Sequence, residues 1–342
     1  MTLWTDIIDP ATLTGYARAA LADYEAQRGT LARWLPNREI ADIVARFVAG
    51  QSGLVDVADF RAYDAEITIG KTPDGKRITI ELPAVGRDIP VSEYNQLRAL
   101  GANPSDEAIL ATIQRTTNTV VRAVADAVER MRGIVLQTGK ATLPNFMDDD
   151  FGRAAGHTVT APALWSVAAT DALGHMTSWS DTYLAANGVK PGAIVMSTRV
   201  LRAMATLDQF KTQLLNGASR PATVEDVQGL VSAHGLPPIH IYDRLVSVAG
   251  SATKVLNDDR VLMLPEAVET DDWEGTELGA TFWGRTLSSV EADWGIEDSE
   301  QPGLVAGVYR NQKPPMIAEV ISDAIALPVL ANANLSFVAD VL

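Results

Sequence analysis

The sequence predicts an α+β fold, in which helices and strands occupy separate stretches of the chain. Apolar residues at helical spacing cover 103–138, and a period-two alternation covers 66–69 and 77–82. Later segments mix both patterns without regular strand–helix–strand alternation, which argues against a parallel α/β sheet. With 342 residues and a hydrophobic fraction of 47%, the chain is long enough for two domains or one large interrupted domain.

The first fifty residues predict short helices. Apolar residues recur at helical spacing over 11–29, and Gly29 suits the end of a helix. A second helix is expected over 39–49. Its apolar face would consist of Ile40, Ile43, Val44 and Phe47. This region could be an ordinary N-terminal subdomain or an arm that docks on a neighbour.

The next pattern predicts a β-hairpin. The alternating segments 66–69 and 77–82 flank a polar connection that contains Pro73, Asp74 and Gly75. Proline presets one φ angle of a turn and glycine supplies a positive one. Because a two-stranded hairpin is marginal in water, it should either lie on its own domain or pair with another chain.

The strongest helical signal follows at 103–138. Asn103 is a suitable N-cap, Pro104 suits the first helical position, and Gly139 follows the last turn. At 1.5 Å per residue the helix would be about 45–50 Å long, which exceeds the span of a small compact domain. Its polar face is expected to be solvated. That face carries Arg115, Arg122, Asp126, Glu129, Arg130 and Arg132.

The remainder of the chain predicts a mixture of helices and buried strands. The expected elements are a helix over 170–187, a strand over 192–197 leading into a helix that ends at 213, a strand over 239–242, a hairpin of 254–256 with 260–264, and a long strand over 316–327. An acidic stretch, 266–303, separates the hairpin from the last strand. A turn at Asn332–Asn334 precedes the C-terminus.

Composition and charge exclude several classes of function. Lys and Arg number 28 against 43 Asp and Glu, which gives a net charge of −15. A nucleic-acid-binding surface over the whole molecule is not expected, because binding phosphates needs a basic excess. The absence of Cys excludes disulfides, thiolate metal sites and a cysteine nucleophile. No signal peptide and no run of eighteen apolar residues is visible, so no membrane span is expected.

Catalytic templates do not fit the sequence. Residues 133–140 resemble a phosphate-binding loop, but five residues separate the glycines, Ala141 replaces the required hydroxyl, and the segment ends a helix. The histidines are scattered, and Asp148–Asp150 is better explained as an exposed acidic loop. No catalytic residue, metal or cofactor is therefore expected. From the residues alone, a protein built to contact neighbours and a monomeric enzyme with dispersed catalytic groups remain equally open.

The order of these elements resembles the major capsid proteins of tailed bacteriophages, in particular the capsid protein E family with its HK-ninety-seven type fold. Five segments are also similar in their local sequence. They are GVKPGAIVMS (188–197), VLMLP (261–265), GATFWGRT (279–286), KPP (313–315) and ALPVL (326–330). No single segment is specific, but the ordered set extends along nearly the whole chain.

The resemblance implies an α+β capsid fold with five parts. They are an N-terminal arm (1–50), an extended β-hairpin loop (51–98), a peripheral domain with a long spine helix (99–144), an axial domain (145–310) and return strands of the peripheral domain (311–342). The hairpin tip would contact an adjacent subunit. Its residues are Lys71, Asp74, Gly75, Lys76 and Arg77.

The resemblance also implies the function of a major capsid protein without enzymatic activity. Copies would assemble as pentamers and hexamers into an icosahedral shell, since weak contacts add over many neighbours. The shell would enclose double-stranded DNA without sequence-specific binding. It would be assembled in the cytoplasm of the host bacterium and reside in the virion. Repulsion by acidic side chains would keep DNA from adhering to the inner wall.

The partners implied by the resemblance are other phage structural proteins, with no membrane involved. A separate scaffolding protein is expected, because only about fifty residues precede the hairpin region. Portal and decoration proteins are further expected partners. Three alternatives remain: an encapsulin-like compartment with enzyme cargo, a soluble α+β hydrolase, and a tail or connector protein that forms rings or tubes.

Overall fold

The computed structural model describes residues 1–49, 76–101, 106–143, 147–215 and 222–342. Helices and strands are interspersed without regular alternation, which confirms the α+β prediction. The helices within the described residues are α1 (Pro10–Arg28), α2 (Glu93–Leu100), α3 (Asp106–Thr138), α4 (Ala172–Asn187), α5 (Thr198–Ala205), α6 (Asp208–Leu215), α7 (Val224–Ala233) and α8 (Leu287–Val290).

The strands are short except near the C-terminus. They are β1 (Thr2–Leu3), β2 (Asn37–Glu39), β3 (Val44–Ala49), β4 (Lys76–Glu81), β5 (Ala84–Val91), β6 (Lys140–Leu143), β7 (Met147–Asp150), β8 (Thr158–Thr160), β9 (Ala193–Met196), β10 (Ile239–Ile241), β11 (Leu245–Val248), β12 (Ser251–Lys254), β13 (Arg260–Leu264), β14 (Gly279–Gly284), β15 (Val305–Arg310), β16 (Ala318–Leu330) and β17 (Phe337–Asp340).

A six-stranded sheet is built around β16. Strands β15 and β14 pair with successive halves of β16 along one edge, and β5 pairs with the other edge. β1 extends the sheet beyond β15, and β2 lies parallel to β14 at the opposite end. Alternate residues of β16 are buried, as a strand with one covered face requires. Helix α3 packs on this sheet through Val120, Val124 and Val128.

A five-stranded sheet in the order β10–β9–β13–β17–β8 forms the second layer of the fold. Every residue of β9 is buried, which explains its continuous apolar sequence. Helices α4, α5 and α7 bury apolar side chains in the same core. The residues Met176, Val200 and Val227 represent these three helices, and each is fully buried.

Helix α3 connects the two cores. Its 33 residues extend over about 50 Å. Val120, Val124 and Val128 belong to the core under the six-stranded sheet, whereas Val135 and Leu136 belong to the core of the five-stranded sheet. Gly139 ends the helix with a φ angle of 71°, as predicted. The predicted N-cap Asn103 and Pro104 lie outside the described residues.

The prediction of a helix over 39–49 is wrong. This stretch contains β2 and β3, which pair with β14 and with β4. The apolar spacing of Val44 and Phe47 suits a helix, but β-branched and aromatic residues also suit a strand. Strand β4, which is the predicted second arm of the hairpin, supplies the hydrogen-bonding partner. The predicted first arm, 66–69, lies outside the described residues.

Two further predictions need correction. Residues 254–256 and 260–264 do not form a hairpin, because β12 pairs with β11 whereas β13 lies between β9 and β17. The helix expected to end at 213 is two helices, α5 and α6. The helices expected over 11–29 and 170–187 and the strands expected over 192–197, 239–242 and 316–327 are confirmed, and the last strand, β16, continues through Pro328 to Leu330. The hairpin of 66–69 with 77–82 stays a prediction.

Strand pairing crosses the predicted domain boundary at residue 310. β15 and β16 lie on either side of it and pair with each other, while β17 belongs to the other sheet. In the predicted arm, α1 packs on its own chain through Leu13 and Ala17, both fully buried. The five-part division stays a prediction. No helix in the described part of the chain is long and apolar enough to cross a membrane.

Candidate functional site: a buried junction and a free β-ribbon

Charged side chains are buried where α1, α3 and the segment after β10 meet. Glu129 and Arg132, one turn apart in α3, are both fully buried. The Nη1 atom of Arg132 lies 2.9 Å from Glu25 Oε1 and 3.0 Å from Glu129 Oε2. We name this cluster the α3 junction. Its members are Tyr24, Glu25, Asp126, Glu129, Arg132, Tyr242 and Arg244.

Arg132 uses all three of its guanidinium nitrogens. Nε donates to Thr281 Oγ1 at 2.9 Å, and Nη2 donates to Asn37 Oδ1 at 2.7 Å. Burial alone lowers the pKa of Arg132, but the carboxylates of Glu25 and Glu129 outweigh burial and hold the pKa above its ordinary value. Arg132 is therefore a permanent cation that joins α1, α3, β2 and β14.

The Glu129 carboxylate accepts hydrogen bonds from several members of the junction and from the segment after α1. Its Oε1 accepts hydrogen bonds from the Leu31 amide at 2.7 Å and the Tyr242 hydroxyl at 2.5 Å. Its Oε2 accepts from Thr30 Oγ1 at 3.1 Å and from Arg132. Burial and the nearby carboxylate raise the pKa of Tyr242, so its hydroxyl stays protonated and donates. Four donors thus satisfy a carboxylate that would otherwise be costly to bury.

A second cation, Arg244, lies at the edge of the junction. Its Nη2 lies 2.9 Å from Asp126 Oδ1, and its Nη1 donates to the Gly29 carbonyl at 2.9 Å. The guanidinium also lies 5.1 Å from the centre of the Tyr24 ring, whose hydroxyl donates to Asp126 at 3.0 Å. The junction therefore holds α1 and the 242–244 segment against one face of α3. Glu129 and Arg132 make hydrogen bonds with all their polar atoms, which rigidifies a buried network, whereas Arg244 Nε has no hydrogen-bond partner among the described residues.

The prediction that the polar face of α3 is solvated is wrong for Glu129 and Arg132. Arg130 is exposed, as expected. Arg132 lies four residues after Val128 and three before Val135, which places it on the apolar stripe of the helix. That spacing is the signal that indicates its burial.

Replacing Tyr242 with phenylalanine should remove one donor from Glu129 and leave the other three. We expect a loss of about 1.5 kcal/mol of unfolding free energy, the low end for a hydrogen bond to a charged group. Urea unfolding of the unassembled chain measures this loss. The matched control is Tyr94→Phe, since Tyr94 is 71% exposed. Equal losses in the two variants would contradict the assigned hydrogen bond.

Strands β3 and β4 form a two-stranded ribbon with one covered and one exposed face. Ala45 and Ile80 are buried, and the Phe47 ring stacks on Phe282 with centroids 6.3 Å apart. On the opposite face the Arg46 side chain is 65% exposed. In the described ranges, neither outer edge of the ribbon pairs with another strand. One face of the ribbon is thus anchored in its own chain, while its other face is solvated.

The predicted hairpin tip is only partly described. Lys76 and Arg77 lie in β4, opposite Ala49 and Val48, at the end of the ribbon. The remaining predicted tip residues lie outside the described residues. They are Lys71, Asp74 and Gly75. The role of all five in contacts between subunits stays a prediction.

The described part of the chain contains no group of His, Asp and Glu side chains that could hold a metal ion. A cleft of about 610 Å³ lies between α1 and the loops at either end of β14. Its lining includes the carboxylates of Glu39, Glu269 and Asp271. Its Arg18 guanidinium already donates to the carbonyls of residues 300, 302 and 304. The cleft therefore presents exposed carboxylates, and its Arg18 side chain is already occupied by backbone carbonyls.

The solved structures that share this fold include the following two. The capsid protein of a prophage in Escherichia coli CFT073 superimposes with a TM-score of 0.63 and 13% identity, over 98% of this chain and 99% of that chain. A phage-related protein from Bordetella bronchiseptica RB50 gives a TM-score of 0.62 and 15% identity, over 97% of both chains. At such identities the similarity establishes the fold alone. No curated protein matches the sequence significantly.

The family assignment comes from the sequence itself. The profile of the phage major capsid protein E family matches residues 22–274, which is more than half of the chain. The match includes the C-terminal end of α1, the ribbon, α3 and most of the five-stranded sheet. It favours the capsid interpretation over the compartment, hydrolase and connector alternatives. The chain therefore belongs to the phage major capsid protein E family, and its function is that of a capsid shell protein.

Proposed function

We propose that the chain assembles as pentamers and hexamers into an icosahedral shell around double-stranded DNA. The proposed role is structural and involves no catalysis, cofactor or metal. The shell would be assembled in the host bacterial cytoplasm and would reside in the virion. The net charge of −15 supports a wall that encloses DNA without binding its phosphates tightly or reading its sequence.

The observation that carries this proposal is the β3–β4 ribbon. A two-stranded ribbon with a solvated face, whose outer edges pair with no other strand in the described ranges, is marginal unless something else supports it. In its own chain it is packed at Ala45, Phe47 and Ile80. A second copy lying against its exposed face and edges would supply the missing support. Such contacts, repeated around a ring, would add to a stable shell although each is weak.

The proposed partners other than the chain itself are a separate scaffolding protein, a portal protein and a decoration protein. Family membership supports them as a class. The proposed domains likewise follow the family: arm (1–50), extended loop (51–98), peripheral domain (99–144 and 311–342) and axial domain (145–310). Strand β3 precedes the proposed loop, and β4 and β5 lie within it.

Reversing the charge on the exposed ribbon face should prevent shell formation without unfolding the chain. We expect Arg46→Glu to yield soluble oligomers or monomers where the unmodified chain yields closed shells, because a charge at a contact between copies changes sign. Sizing chromatography and negative-stain electron microscopy measure this, with scaffolding protein supplied in both preparations.

The matched control is Arg130→Glu, which makes the same charge change on an exposed position of α3. It should leave shells intact, and circular dichroism should show both variants folded. Normal shells from Arg46→Glu would remove the ribbon from the proposed contacts. A small globular particle from the unmodified chain under all assembly conditions would overturn the shell itself.

A further inference from the structure

The C-terminal end of α3 is held by an arginine from another segment. Arg153 Nη1 donates to the Gln137 carbonyl at 2.9 Å, and its Nη2 donates to the Leu136 carbonyl. The same Nη2 lies 2.6 Å from Ser336 Oγ, which itself donates to the Leu136 carbonyl at 3.0 Å. A cation at these carbonyls is favourable, because the C-terminus of a helix carries partial negative charge. Arg153 thus ties α3 to the segment before β17.

We call Arg153 and its hydrogen bonds to the Leu136 and Gln137 carbonyls the clamp. A histidine is buried four residues further along the chain. His157 is 3% exposed, and its ring lies edge-on to Phe337 with centroids 5.6 Å apart. Neither ring nitrogen has a hydrogen-bond partner among the described residues. Burial and the charge of Arg153 lower the pKa of His157 below its ordinary value. The ring is therefore neutral near pH 7.

The charged and titratable groups on the surrounding elements offer His157 no counter-ion. His157 is packed by α4, β8 and β17. On β17, Asp340 is paired with Arg260 at 2.6 Å. On α4, His175 accepts a hydrogen bond from the Trp165 indole, Tyr183 donates to the Leu335 carbonyl, and Asp181 is exposed.

The carboxylate that favours the charged form of Arg153 is shared with another cation. Asp150 favours the charged form of Arg153, but its carboxylate is paired with Lys140 at 2.9 Å. Burial and Arg260 together lower the pKa of Arg153 to about 10. Arg153 therefore remains a cation at any pH at which His157 titrates. Within the described ranges, a second positive charge beside Arg153 would have no carboxylate that is not already paired.

We propose that His157 is a proton-operated latch on the C-terminal end of α3. The neutral ring packs against Phe337, adds no charge near Arg153 and leaves the clamp closed. The protonated ring places a second cation beside Arg153 in an apolar site, which pushes the 153–157 segment away from the α3 carbonyls. The latch belongs to the folded chain and does not depend on the proposed shell.

The direction of the pH dependence follows from the lowered pKa. The unfolded chain takes up a proton on His157 near pH 6.5, whereas the folded chain resists it. The stability from the neutral ring is thus present above about pH 6.5 and is lost as the pH falls toward the folded-state pKa. His240 also has a pKa lowered by burial and by Arg33. His240 is present in every variant compared below, so its contribution to the pH dependence of stability is the same in all of them.

The test compares unassembled wild type, His157→Phe and the exposed control His234→Gln at about pH 7.5 and about pH 5.5. Hydrogen exchange at residues 136–139 and 153–157, corrected for intrinsic rates, should accelerate at the lower pH in wild type and in the control. His157→Phe should show no acceleration and a smaller fall in Tm. Equal acceleration in all three proteins would overturn the latch.

A second measurement covers the case in which His157→Phe does not fold. His157→Gln lacks a titratable ring and should likewise lose the local acceleration. In wild type, NMR titration of isotope-labelled histidines reads the protonation of His157 directly. A His157 ring that titrates at or above its ordinary pKa would overturn the proposal, and a ring that titrates below it while local exchange rises would support it.

Discussion

Replacing Arg132 with methionine is expected to lower the free energy of unfolding by about 3–5 kcal/mol, the usual effect of removing one partner of a buried ion pair. The variant would remove the nearest cation from the buried carboxylates of Glu25 and Glu129 and leave Glu129 with Arg244 at 3.8 Å, while Thr281 and Asn37 lose a donor. Methionine has a similar volume, so little of the loss would come from a cavity. Urea unfolding of the unassembled chain, followed by circular dichroism, measures the change.

Arg130→Met is the matched control, because Arg130 is an exposed position on the same helix. Its effect should stay within about 0.5 kcal/mol. Arg132→Lys should fall between the two, since an ammonium group cannot reproduce the forked contacts of a guanidinium. A loss below about 1 kcal/mol for Arg132→Met would show that the α3 junction contributes little to stability.

The elements that the sequence predicts correctly are those whose pattern repeats many times. Helix α3 repeats its apolar positions over 33 residues, and β16 alternates buried and partly buried residues over most of its length. Each repeat is an additional sign of the same structure. Strand β3 has only six residues, and its apolar positions fit a helical face as well as a ribbon. Pairing with β4, a distant part of the chain, decides the outcome.

The α3 junction is not predictable in the same way, because its partners are far apart in the sequence. Arg132 and Glu25 are separated by 107 positions, and Glu129 and Tyr242 by 113. The position of Arg132 on the apolar stripe indicates burial, but not which carboxylate neutralises it. The family could be identified because the order of elements survives where individual residues differ. The hairpin-tip residues were inferred from the resemblance alone, without a repeated pattern in the sequence, and their role in subunit contacts stays a prediction.

Replacing Gly133 with alanine should destabilise the chain by about 2–3 kcal/mol, although glycine-to-alanine changes inside helices usually stabilise by up to about 1 kcal/mol. Gly133 is buried in α3, where an added Cβ would lie 2.5 Å from the Val255 carbonyl oxygen. That oxygen cannot move freely, because the Gln137 side chain donates to it at 3.1 Å and also accepts from the Asn257 amide. The methyl group would therefore separate α3 from the 255–257 segment.

Gly229 provides the matched control, because it lies inside α7 with no heavy atom within 4 Å of an added Cβ. Gly229→Ala should raise the free energy of unfolding by about 0.5–1 kcal/mol through helix propensity alone. The two substitutions are chemically identical and should differ in sign, which removes propensity as an explanation. If Gly133→Ala also stabilised the chain in urea unfolding, α3 could not lie this close to Val255. In that case the contact between the long helix and the second core would be looser than the hydrogen bonds of Gln137 require.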